Sequence, residues 1–159
     1  MSIVISDIEG TLTTGSSWKG LRSYYKTHYD AWGYNRFYLS WVPRYLGVKL
    51  GLLSRKEVMS RWMQEEIQLF RGVTRKEFFR IAEWIFEHEM WPKRRKTVLS
   101  ALEAYRREGA QIVVVSSAYQ PIVDVFAHQL KAEPIGSPLI FADDRLIGVS
   151  LPINAYEHK

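Results

Sequence analysis

Branched apolar residues fill two short stretches of the chain with no polar alternation. Residues 2–6 read SIVIS, and residues 111–116 read QIVVVS with four branched residues in a row. Runs of that length and texture predict parallel strands buried on both faces. Between them the spacing turns helical. A hydroxyl followed three residues later by Glu occurs at residues 54–57 (SRKE) and again at 74–77 (TRKE), and each is a capping box that predicts a helix start. The first start is followed by Val58, Met59, Trp62, Met63, Ile67 and Phe70, the second by Phe78, Ile81, Ala82, Ile85 and Phe86. Spacings of three and four put each set on one core-facing stripe. A further helix is predicted to begin near Pro92, whose fixed φ suits a first turn, and to end before Gly109. An amphipathic stretch at residues 121–130 predicts a helix returning to the sheet. SPLIFADDRLIGVSL then predicts two extended segments joined at Asp143 and Asp144.

Strand, helical insertion, helix, strand, helix, hairpin is the order of an α/β protein with a Rossmann-like parallel sheet whose first connection has swollen into a helical cap. The division predicted is a core of residues 1–14 and 93–159 and a cap of residues 15–92. A length of 159 residues with 47% hydrophobic content suits one core carrying such an insertion. There is no cysteine, which excludes disulfides, thiolate nucleophiles and thiolate metal sites. Asp7 and Glu9 interrupt the N-terminal apolar run too early for a signal peptide, so a cytoplasmic location is expected. The most apolar window, residues 37–53, contains Pro43, Arg44 and Lys49. It is shorter than the roughly 20 residues of a membrane span, and none is predicted. Basic residues outnumber acidic ones 22 to 17, a net charge of +5 concentrated in mid-chain. A solvated basic face is the ordinary reading of that surplus, an anionic partner or substrate the alternative.

The candidate chemistry lies in VISDIEGTLTTGSSW, residues 4–18. In open α/β sheets ligands bind outside the carboxyl ends of the strands, which is where Asp7 and Ser116 fall. Asp7 can act there as a nucleophilic carboxylate, and Glu9, two residues on, as proton donor and later base. Gly10 lets backbone N–H groups approach an anion, with Thr11 beside it, and Ser116 can bond an anionic oxygen. The set suits phosphoryl transfer, in which catalysis is mostly positioning and charge stabilisation. The plainer alternative is that Asp7 and Glu9 only accept loop hydrogen bonds and favour a helix N-terminus. His28, His88, His128 and His158 have no ligand spacing.

DIEGTLT resembles motif I of the haloacid dehalogenase superfamily, and VVVSSAYQPIV resembles its motif II in the phosphoserine-phosphatase-like subgroup. EPIGSPLIFADDRLIG is similar to that subgroup's hairpin before motif III, and the helical insertion sits where its small cap belongs. The resemblance implies Asp7 as the nucleophile that forms an aspartyl-phosphate, Glu9 as general acid and base, Gly10, Thr11 and Ser116 around the phosphate, and Lys159 as the motif III cation. It also implies Mg²⁺, with Asp7 and the Glu9 carbonyl as ligands, and a small phosphorylated metabolite as substrate. Trp18 and Arg22, just after motif I, are candidates for shaping the substrate pocket. Two departures stand out. The second motif I acid is Glu rather than Asp, and the chain stops at Lys159, before the motif IV acids and their strand. The expected consequence is an uncovered sheet edge beside Asp7, a weakened metal site, and association through that edge with a second chain or copy. Two other function classes stay open: a phospho-ligand-binding protein without turnover, and a nucleic-acid or membrane-surface binder using the basic aromatic cap. Nucleic-acid binding is not expected.

Overall fold

The computed structural model describes residues 2–150. Strands β1 (Ile3–Asp7), β2 (Gln111–Tyr119) and β3 (Glu133–Ser137) form a parallel sheet in the order β1-β2-β3. The apolar run of β2 occupies the centre, where Ile112, Val113 and Val114 are all buried. Val4 pairs with Ile112 and Asp7 with Val115, so β1 ends level with Val115 while β2 runs on to Tyr119.

The third strand is a correction to the two core strands that hydrophobic texture predicts. β3 reads EPIGS, and its Pro134 and Gly136 disguise it as a turn. It forms the sheet edge, the place where a strand proline costs least because the outer side needs no donor. Its pairing with β2 shifts between Val115 and Tyr119, a bulge that falls on Ser116, Ser117 and Ala118. Beyond it, β4 (Leu139–Ala142) and β5 (Arg145–Val149) form the predicted antiparallel hairpin. Asp143 and Asp144 both adopt left-handed backbone, with φ of 47° and 59°, as a tight hairpin turn requires.

Between β1 and β2 lie α1 (Ser17–His28), α2 (Ala31–Lys49), α3 (Arg55–Glu66), a 3-10 turn (Ile67–Phe70), α4 (Arg75–Ile85), a π-helical segment (Phe86–Met90) and α5 (Lys96–Arg107). Thr74 completes its capping box with Glu77. Ser54 supplies only half of one, accepting the Glu57 N–H at 3.5 Å. Pro92 precedes the helix instead of opening it: residues 93–95 bond back to the motif I loop, Lys93 through its carbonyl to Thr14 N–H and Arg95 through its N–H to the Leu12 carbonyl, and α5 starts at Lys96.

The stripe on α4 buries Phe78, Ile81, Ala82 and Ile85 as its spacing predicts. α6 (Gln120–Leu130) crosses from β2 to β3 and packs against α4. One hydrophobic cluster therefore runs from Leu21, Phe70 and Phe78 in the insertion through Tyr119 and Phe126 to Val114 in the sheet. The hairpin is stitched to the same insertion, Gly72 N–H to the Leu146 carbonyl and Leu146 N–H to the Val73 carbonyl, both at 2.9 Å. Among the described residues no helix is long and apolar enough to cross a membrane.

Candidate active site

Asp7 is the last residue of β1 and stands exposed at its carboxyl end. Its Oδ1 accepts the N–H of Ile8 at 2.8 Å, a local bond that orients the carboxylate. Ile8 and Leu12 are buried and pin the loop that follows, while the Ile8 carbonyl accepts N–H groups from Leu12 and Thr13. Gly10 turns the chain with φ of +87°, a conformation that suits glycine. Its N–H donates to the Thr13 carbonyl at 2.8 Å, so that donor is spent within the loop. What Gly10 leaves is room, since a Cβ there would meet nothing within 4 Å. The Thr11 N–H and hydroxyl have no partner among the described residues. Buried Thr13 completes the loop, its hydroxyl donating to the Met90 carbonyl at 2.6 Å and accepting Gly15 N–H at 3.0 Å.

Glu9 points toward the insertion. Its Oε1 accepts the N–H of Ser17, the first residue of α1, at 2.9 Å. A carboxylate at a helix N-terminus is held by the dipole and by an otherwise unpaired donor. Glu9 thus does the capping that Ser16 does not; the Ser16 hydroxyl is buried without a partner among the described residues. Glu9 is therefore seen in the helix-capping arrangement, the plainer alternative for this acid. Burial pushes the Glu9 carboxyl above its usual range; the Ser17 bonds pull it down, and the nearby Asp7 and Glu89 carboxylates add to the rise. That direction means that Glu9 holds its proton more tightly than an ordinary carboxyl.

Ser116 follows Val115, the residue paired with Asp7, and so lies at the same end of the neighbouring strand. Adjacent strands are about 4.8 Å apart, and Ser116 follows directly on the neighbour of Asp7 in the sheet. The Ser116 side chain is buried in the β2 bulge and its Oγ accepts the Ala118 N–H at 3.2 Å, leaving its own proton for an acceptor. The Ser117 side chain sits outside this arrangement, and its carbonyl accepts the Ser137 hydroxyl at 2.8 Å. Bulges of this kind re-aim side chains next to functional sites.

Trp18 and Arg22 pack inside the insertion. Trp18 stacks on Tyr38 and meets Trp62 edge-on, with ring centres 6.4 Å apart in both cases. Arg22 lies over Tyr38 at 4.8 Å and bonds Asn35. Lys159 lies outside the described residues. Among those described, no group of three or more His, Cys, Asp or Glu could hold a metal ion. The Glu9 carbonyl accepts no hydrogen bond among the described residues.

Glu66 escaped the sequence reading. It ends α3, is buried, and receives the Tyr34 hydroxyl, while Tyr119, three residues past Ser116, approaches its Oε2 at 3.2 Å. The Tyr119 hydroxyl also faces the Met63 carbonyl at 2.7 Å. A phenol has one proton to give, so a protonated Glu66 completes this network as a donor. Burial above all pushes the Glu66 carboxyl up to about 7. The signal available in the sequence was an acid three residues after Met63 and four before Phe70, inside an apolar stripe.

Comparisons with known proteins agree with this geometry. The family model described as haloacid dehalogenase-like hydrolase matches residues 4–159. No curated protein matches the chain. Among solved structures, a protein of unknown function from Bordetella pertussis Tohama I superposes with a TM-score of 0.70 at 13% identity, over 94% of this chain and 66% of that one. Phosphoserine phosphatase from T. onnurineus superposes at 0.56 with 20% identity, over 94% of this chain and 64% of that one. Cytosolic 5'-nucleotidase IIIB bound to cytidine superposes at 0.63 with 17% identity, over 95% of this chain and 54% of that one. The chain thus spans between half and two thirds of the length of these three proteins. With its strand-end acid, its motif I loop, its parallel sheet and its inserted helices, the chain belongs to the haloacid dehalogenase-like hydrolase family.

Proposed function

We propose that the chain carries the nucleophile and the proton donor of a phosphomonoesterase acting on a small phosphorylated metabolite, with residues 15–92 as the cap over its crevice. One observation carries the reading: an exposed carboxylate, Asp7, stands two residues from a partly buried one, Glu9, whose acidity is suppressed. An exposed carboxylate suits the nucleophile, and an acid that holds its proton more tightly suits the donor. An Asp7 oxygen attacks phosphorus, the ester P–O bond breaks, and the Glu9 proton goes to the departing alkoxide. Glu9, now ionised, takes a proton from water, whose oxygen attacks the aspartyl-phosphate and restores Asp7. Ser116 and Thr11 donate to the non-reacting phosphate oxygens, and Gly10 leaves them space. Lys159 is assigned to the same charge.

Asp7 and the Glu9 carbonyl are hard oxygen donors of the kind that would hold Mg²⁺. When bound, it neutralises the charge that would otherwise set carboxylate and phosphate apart. β1 lies at an edge of the sheet, and that edge is assigned to pairing with a strand of a second chain or copy. Release of phosphate from an aryl phosphate, with and without Mg²⁺, tests the reading. Turnover that needs Asp7 and the metal supports it, and equal turnover by Asp7→Asn sinks it.

A further inference from the structure

α2 carries large apolar side chains on both its inner and its outer face. Its inner face packs Tyr34, Phe37 and Trp41 among the rings of α1 and α3. Its outer face carries Leu39, Val42, Leu46 and Leu50 at spacings of three and four, all exposed to solvent. Leu52 and Leu53 extend this stripe into the following turn, and Leu50 and Leu52 are 73% and 76% exposed. A contiguous exposed apolar stripe marks a docking surface. From Leu39 to Leu50 the stripe runs about 17 Å.

Charge identifies what covers it. Residues 31–56 contain no Asp or Glu, while Arg36, Arg44, Lys49, Arg55 and Lys56 bring five positive charges, as many as the net +5 of the whole chain. Arg44 lies over the Trp41 ring at 4.6 Å and Lys49 over Tyr45 at 5.2 Å. Long basic side chains held in this way run along apolar surface and keep their charged heads at its rim. A second copy would bring the same positive charge and repel. A nucleic acid would meet the cations but leave six large aliphatic side chains in water. A surface that is apolar beneath an anionic layer satisfies both.

We infer that α2 and the turn after it seat this protein on anionic lipid bilayers, the helix lying in the interface with its leucines below the headgroups and its cations among them. This is the geometry of interfacial amphipathic helices, in which apolar area and electrostatic attraction act together. The helix lies on the bilayer and does not cross it, in keeping with its charges and with Pro43.

Flotation of the intact chain with vesicles tests this, comparing phosphatidylcholine alone with phosphatidylcholine containing phosphatidylglycerol. Binding is expected only with the anionic lipid, and it weakens as salt is raised. Each of Arg44→Ala and Lys49→Ala lowers the partition coefficient about fivefold. Leu46→Asp and Leu50→Asp abolish flotation; both sites face solvent, so circular dichroism of the variants stays that of the parent. Three outcomes overturn the inference. The first is no flotation with anionic vesicles at low salt. The second is flotation indifferent to Leu46→Asp and Leu50→Asp, or oligonucleotide binding that competes with it on charge alone. The third is a dimer in the absence of lipid that Leu46→Asp dissolves, which would give the stripe to a second copy.

Discussion

Glu9 serves two structures at once: it caps α1 through Ser17, and in the proposed chemistry its proton leaves with the alcohol. Replacing it by Gln keeps an oxygen for the Ser17 N–H and removes the proton donor. Glu9→Gln is therefore expected to fold normally and to slow turnover by roughly 10² to 10⁴. Phosphate esters of acidic alcohols, whose leaving groups need no proton, lose less; equal loss across a leaving-group series would remove Glu9 from the acid role. Glu66 makes a different prediction, read in stability. Its carboxyl is raised in the folded chain from the ordinary 4.5 to about 7, so the folded state holds the proton more tightly. The stabilisation is complete below the unfolded value and is lost as pH rises from about 4.5 to about 7, by up to roughly 3 kcal/mol. Urea unfolding at several pH values measures the slope, and Glu66→Gln flattens it. A parent whose stability is level across that window would mean that Glu66 ionises as an ordinary acid.

At the scale of elements, helix starts were the most legible feature, because a capping box is a local bargain between a hydroxyl, a carboxylate and two N–H groups. Thr74→Ala, which breaks the complete box, is expected to cost about 1 kcal/mol in thermal or urea unfolding. Ser54, whose box is half made, costs less when replaced. Close helix contacts were not legible. A Cβ on Gly20 would stand 2.4 Å from Ile85 Cγ2, so Gly20→Ala forces α1 from α4 and is expected to cost 1–3 kcal/mol, roughly the usual price of overpacking. β3 stayed hidden because strand texture fails where Pro134 and Gly136 do tertiary work: the proline occupies a sheet edge, and the glycine lets its N–H reach the Gln120 side chain at 2.7 Å. Motif I was legible as a set of residues, and the direction of Glu9 was not. The choice between crevice and helix N-terminus depends on where α1 begins, which is decided by packing far along the chain. Thr13 and Glu66 were missed for the same reason, since their partners, Met90 and the two tyrosines, are distant in sequence.

Over the whole molecule, insertion and sheet share one hydrophobic cluster instead of two. Phe78 sits at its middle, edge-on to both Phe70 and Tyr119. Phe78→Ala is expected to cost about 3–5 kcal/mol and to lower far-ultraviolet dichroism and tryptophan fluorescence transitions together. Separate transitions would mean that the helices and the sheet unfold independently. The same continuity ties chemistry to architecture: β1 delivers Asp7, the bulge in β2 delivers Ser116, and α1 holds Glu9. The central claim is that Asp7 becomes covalently phosphorylated, and acid quenching followed by peptide mass spectrometry tests it most directly. The chain is mixed with an aryl phosphate and Mg²⁺, quenched in acid and digested. One phosphoryl group is expected on the peptide containing Asp7, absent from Asp7→Asn and enriched in Glu9→Gln, where the base for the second step is gone. A label on another residue, or phosphate release that persists unchanged in Asp7→Asn, would contradict the account.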